Sequence, residues 1–137
     1  VTVALGEYLH ALGVGVWSPS GALPRDAVGI TVKAMPAQPD SVIVLSPYPV
    51  TGSGASDVTL GMQIRCRAGG LPTAVDDLAD HIYDALHGAR NLQLGPARVA
   101  LVWRASHAQM GVDGDGRWDT TSNFYLQTAH PSAHVRD

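Results

Sequence analysis

VTLGMQIRCRAGGLPTAVDDLADHIYDALHG, residues 58–88, carries two clean hydrophobic periods, one after the other. In its first part Val58, Leu60, Met62, Ile64, Cys66 and Ala68 alternate with Thr59, Gly61, Gln63, Arg65 and Arg67. A period of two with one apolar side describes a strand that rests one face on a core. Gly69 and Gly70 break the pattern, and Leu71-Pro72-Thr73 leads into a period near four. There Val75, Leu78, Ala79, Ile82 and Leu86 make an apolar stripe, while Asp76, Asp80 and Asp84 line another face. Thr73 is placed to cap this helix with Asp76 completing the box, and Gly88 stops it. A one-sided strand followed by a one-sided helix needs a sheet beneath the helix, because neither apolar surface is stable in water.

Outward from this unit the other elements are shorter. Val3 to Leu12 reads as a helix with Leu5, Leu9 and Leu12 in its stripe and Gly13 at its end. Val14 to Trp17 and Val28 to Val32 are short strands, read as a weak hairpin around the Ser, Pro and Gly of Ser18 to Arg25. Met35 to Asp40 carries two prolines and is an extended connector. Ser41 to Tyr48 is apolar on both parities, which predicts a central strand covered on both faces or across a subunit contact. Thr51 to Ser56 reads as a mobile loop and Arg90 to Pro96 as a short crossing. Arg98 to Ala105 is a strand with Val99, Leu101, Trp103 and Ala105 on one side, and Ser106 to Val112 continues or pairs beside it. Asp113 to Gly116 is a hairpin turn, after which Asp119 to Thr128 returns with Phe124 and Leu126 inward. The tail from Pro131 is frayed. These elements predict an α+β fold: a single domain over residues 1–137, with residues 1–13 as N-terminal helix and 131–137 as tail. Its mixed, mainly antiparallel sheet has about four main strands, helices on one face and a small accessory hairpin.

Composition narrows the function classes. The chain has 137 residues, 45% of them hydrophobic, and a formal charge of −3, which gives little pull toward nucleic acid or an anionic membrane. Cys66 is the sole cysteine, so no intrachain disulfide forms, and a buried thiol is expected. No apolar run reaches the length of a membrane span and no basic leader precedes a secretory core. A soluble protein of a reducing compartment is expected.

Catalytic and ligand-binding patterns do not emerge. Asp113, Asp115, Arg117 and Asp119 superficially resemble a calcium loop, but Arg117, Trp118 and Phe124 stand where an oxygen ligand, glycine and glutamate are needed. Asp77 and His81 are four apart, and nothing near them completes a metal set. His107, His130 and His134 are scattered, and Ser53 lacks the spacing of a nucleophile elbow. We expect no catalytic, cofactor-binding or metal-binding residues and no cofactor. Arg65 and Arg67 share one side of their strand, where a solvated face, a salt bridge between subunits and nucleic-acid binding are the alternatives.

Several stretches, in order, carry a resemblance: Pro39-Asp40, Val42 to Leu45 and Tyr48; the arginine strand Gln63 to Arg67; the helix Asp76 to Leu86; and Asp115 to Arg117 ahead of Ser122 to Leu126. From about Gly13 to Pro131 the chain resembles the tail terminator proteins of long-tailed bacteriophages, also called minor tail or minor capsid proteins. The resemblance implies a non-catalytic virion protein at the head-proximal end of the tail, present in the host cytoplasm during assembly. It implies a hexameric ring that caps the tail tube, ends its growth and meets the head–tail connector. DNA would pass through without sequence-specific binding, and no membrane is involved. A head–tail connector subunit is the neighbouring alternative, and a small ligand-binding protein or enzyme a more distant one. For the ring contact the candidates are Arg65, Arg67, Asp76, Asp80 and Asp84.

Overall fold

A computed structural model describes residues 1–50 and 58–128. The expected loop at Thr51 to Ser56, Ser53, and the tail with His130 and His134 lie outside the described residues. Seven strands form one sheet in the order β1-β2-β3-β4-β7-β6-β5. They are β1 (Val16–Trp17), β2 (Gly29–Val32), β3 (Val42–Pro49), β4 (Val58–Ala68), β5 (Arg90–Leu94), β6 (Ala97–Val112) and β7 (Trp118–Thr128). Two helices, α1 (Thr2–Ala11) and α2 (Pro72–Leu86), complete the elements of the described residues.

The β4–α2 unit is built as its two periods require. Met62, Ile64, Cys66 and Ala68 are buried, and so are Val75, Leu78, Ala79, Ile82 and Leu86, all in one core cluster. α2 packs on β4, β7 and β6. α1 puts Leu5 and Leu9 into the same cluster and touches β2 and β3 as well as β5. Since β5 ends the strand order opposite to β1, one helix reaches both only if the sheet curls around it.

The helix start differs from the sequence expectation. Leu71 is the N-cap in extended geometry, Pro72 opens the helix, and no side chain caps it. The fixed φ of proline pre-forms the first turn, so Thr73 falls inside the helix and not before it. Leu12 likewise lies just past α1 and is 48% exposed, outside the buried stripe.

The sheet is also larger than four strands and an accessory hairpin. β1, β2 and β3 are mutually parallel, with Val16 opposite Gly29 and Ile30 opposite Ile43. The connections Ser18 to Val28 and Lys33 to Ser41 carry the chain back across the strand length, as parallel pairing requires. Arg90–Leu94 is a strand and not a crossing, turned onto β6 through Gly95 at φ +62°.

β6 runs for sixteen residues, so the Ser106 to Val112 segment continues it. Its pairing with β7 slips between Val99 and Leu101, between Arg104 and Ser106, and between Gln109 and Gly111. Each slip adds a residue and turns the following side chains over. Val99 and Val102 are therefore the buried pair, while Leu101 and Trp103 sit half-buried on the other side.

Candidate assembly surface

The even positions of β4 face the helices, so the odd positions define a second sheet face. Register places Val42, Val44, Ser46 and Tyr48 of β3 on that face, with Asp119, Thr121, Asn123, Tyr125 and Gln127 of β7. Both arginines of β4 lie there, in different surroundings.

Arg65 spans to the neighbouring strand. Its Nε donates to Asp119 Oδ1 at 2.8 Å and its Nη2 to Asp119 Oδ2 at 2.7 Å. The carboxylate, only 10% exposed, raises the pKa of the guanidinium chiefly through that hydrogen bonding. The Arg65 side chain keeps 44% of its surface in solvent and so remains presentable to another molecule. A glutamate at position 65 would stand beside Asp119 and strain the fold as well as any assembly.

Arg67 is 4% exposed. Its Nε donates to the Asp40 carbonyl at 3.0 Å and its Nη2 to the Pro39 carbonyl at 2.7 Å. Burial lowers its pKa, and the Arg117 charge adds to the effect. Arg117 Nη1 donates to the Ala37 carbonyl at 2.7 Å, so two arginines hold the proline connector by its backbone. Val42 and Val44, on the same face, are buried. Arg67 is thus engaged within its own chain.

The turn between β6 and β7 is held by Asp113, which accepts from the backbone N–H of Arg117 and of Asp115, both at 2.9 Å, and from Arg117 Nε at 2.8 Å. The Arg117 backbone bond is the leading reason its carboxyl pKa is lowered. The stabilisation is therefore complete above the unfolded carboxylate range and is lost as pH falls through the lowered folded value. With Asp113 so engaged, calorimetric titration with calcium should give no stoichiometric site in the micromolar range. Among the described residues no three His, Cys, Asp or Glu side chains come together for a metal.

The acidic residues of α2 occupy the opposite side of the subunit. Asp76 Oδ1 accepts from Gln109 Nε2 of β6 at 2.7 Å. Asp80 and Asp84 are exposed, with no ion pair or hydrogen bond among the described residues, and the same holds for Asp77 and His81. Farther along, Arg104 lies 4.3 Å from the centre of the Tyr83 ring, which stacks on His87. The sheet thus separates the two sets of candidate residues, Arg65 and Arg67 from Asp76, Asp80 and Asp84. They cannot neutralise one another within one copy.

Toward its other end the second sheet face carries an aromatic row that strand periodicity does not reveal. Tyr48, Gly61, Tyr125 and Trp103 are successive register partners across β3, β4, β7 and β6. A Cβ on Gly61 would come within 2.4 Å of the Tyr48 ring, so the glycine is what lets that ring lie across the sheet. Trp103 meets Tyr125 edge to face at 5.5 Å. All three aromatic residues are half-buried. A lone glycine at an outward strand position was the available signal.

Cys66 lies on the helix side, 2% exposed, and burial pushes its thiol up to about 12. It should resist alkylation at neutral pH in the native protein and react only on unfolding. Rapid labelling of the folded protein would contradict this placement.

The family model described as bacteriophage tail terminator protein matches residues 8–129. The chain belongs to the bacteriophage tail terminator family. It is a virion structural protein of tail assembly and termination, and it is classed with non-catalytic proteins on that ground. Among solved structures it is similar to a chain described as "Virion of native gene transfer agent (GTA) particle". The identity is 19% and the TM-score 0.54, covering 72% of this chain and 77% of that one. At that identity the likeness is one of fold. No curated protein gives a match.

Proposed function

We propose that this terminator closes into a hexameric ring at the head-proximal end of the tail. There it caps the last ring of tube protein, stops tube growth and offers its other side to the head–tail connector. Family membership over residues 8–129 carries the reading, since the match takes in every strand and α2. The two unlike faces support it, because a cyclic head-to-tail contact needs two different patches on each subunit. Asp76, Asp80 and Asp84 belong to one patch. Arg65 belongs to the other, and Arg67 serves it by holding the connector beneath. DNA passes through the ring without sequence-specific contact, as suits a chain with net charge −3.

Tail length tests the role. Particles made without this protein should contain tails of uncontrolled length that fail to join heads. Tails of normal length, attached or not, would remove the terminator assignment. Normal tails with unfinished heads would favour the connector alternative.

A further inference from the structure

We infer that neighbouring copies meet with the acidic outer face of α2 on one copy seated on the aromatic end of the second sheet face of the next, where Arg90 and Arg98 receive it. This rests on the ring reading and names the contact that closes the ring.

Pairing within the fold engages most of the described arginines, and the exposed Arg25 and Lys33 flank β2, at the opposite end of the strand order from β5. Arg65 is paired with Asp119, Arg67 with backbone carbonyls, and Arg117 with Asp113, Asp115 and Asp40. Arg104 lies over Tyr83. Arg90 and Arg98 are exposed, on one hairpin, with no carboxylate partner among the described residues. Arg98 is the register partner of Gln93, and both side chains are exposed while the flanking Ala97 and Val99 are buried toward the helices. Arg98 therefore lies on the second face, away from the helices. Arg90 is the register partner of Leu101, a half-buried apolar residue two positions before Trp103 in β6. Arg90 thus flanks the aromatic row, and Arg98 lies on the same face about 16 Å from Trp103 along β6.

The acidic partner is a stripe of the same length. Asp77 and Asp84 are seven residues apart on a helix, which separates them by about 10 Å, with Asp80 between. Leu101 and Arg98 are three residues apart along a strand, about 10 Å, and Arg90 is displaced by one strand spacing of about 5 Å. The two arginines are then about 11 Å apart, close to the span of the aspartates. The charges fix register and orientation, and the half-buried Leu101, Trp103, Tyr125 and Tyr48 supply the apolar area. A second copy is the fitting occupant because the chain carries both members on opposite sides of its sheet, where no copy can satisfy itself.

Paired charge reversal tests this. One variant carries Asp80→Lys with Asp84→Lys, the other Arg90→Glu with Arg98→Glu. All four positions are exposed, and circular dichroism should show both chains folded. Assembly of the full chain is read by sedimentation and electron microscopy, alone and with tail tubes present. Each variant alone should assemble at least about tenfold less well than the wild type at 0.15 M salt. An equimolar mixture should recover rings, because lysine faces then meet glutamate faces alternately around an even-numbered ring. Wild-type assembly by either variant alone, or a mixture as defective as its components, would overturn this contact and leave the ring reading standing. A wild-type chain that forms no ring in any of these conditions would overturn both.

Discussion

Replacing Ile64 with alanine should lower the stability of the folded chain by about 2–4 kcal/mol, the range for removing a large buried aliphatic side chain. Ile64 is 1% exposed, between Leu45 of β3 and Ser122 of β7, in the cluster that also holds Leu78 and Ile82 of α2. The loss combines transfer of the removed methyl groups with the cavity left behind, since a sheet held on both sides relaxes little around one position. Chemical denaturation should show a lower midpoint with an unchanged slope. An unchanged midpoint would mean that α2 does not cover β4 as described.

Replacing Arg67 should be nearly as costly for a different reason. Its guanidinium satisfies the carbonyls of Pro39 and Asp40 in a site that excludes water. Hydrogen bonds to a charged donor contribute about 1.5–3 kcal/mol each, and buried acceptors left bare carry a desolvation cost. Arg67→Ala should lose about 3 kcal/mol. Arg67→Met should recover little of it although it refills the volume, because the carbonyls would face a methyl group. Arg67→Lys should also fall short, since one ammonium cannot reproduce the planar fork. Full stability in Arg67→Met would show that the connector is held by packing alone. The expected order is methionine near alanine, both below lysine, with the wild type highest.

These two residues mark what a sequence can disclose here. Ile64 was legible because the periods of β4 and α2 are local, clean and adjacent. Arg67 was not, because an odd position on a one-sided strand reads as solvent-facing. The connector from Met35 to Asp40 covers it, and only the tertiary fold brings that segment there. In the sequence Asp119 shows only as the start of a strand and the last acid of a superficially calcium-like run, and its pairing with Arg65 depends on a β4–β7 register set across fifty-four residues. β6 shows a third kind of limit. Its bulges shift the inward parity between Val99 and Val102, so strict alternation assigned Leu101 and Trp103 to the wrong side. The β1–β2 pair was misread for a related reason. Short strands carry no mark of their direction, and the intervening turn residues suggested a hairpin where the chain crosses over. The acidic face of α2, by contrast, was fully visible at helical spacing, because Asp80 and Asp84 are exposed and their helix is regular.

The proposed role of this chain is a closed ring that ends a tail tube. The most direct measurement is electron microscopy of purified tail tubes incubated with the wild-type protein and then offered more tube subunits. A six-fold ring is expected at one end only, the head-proximal one, with no further growth from that end. Tubes that keep growing from both ends, with the protein absent from the tips or spread along the wall, would contradict it.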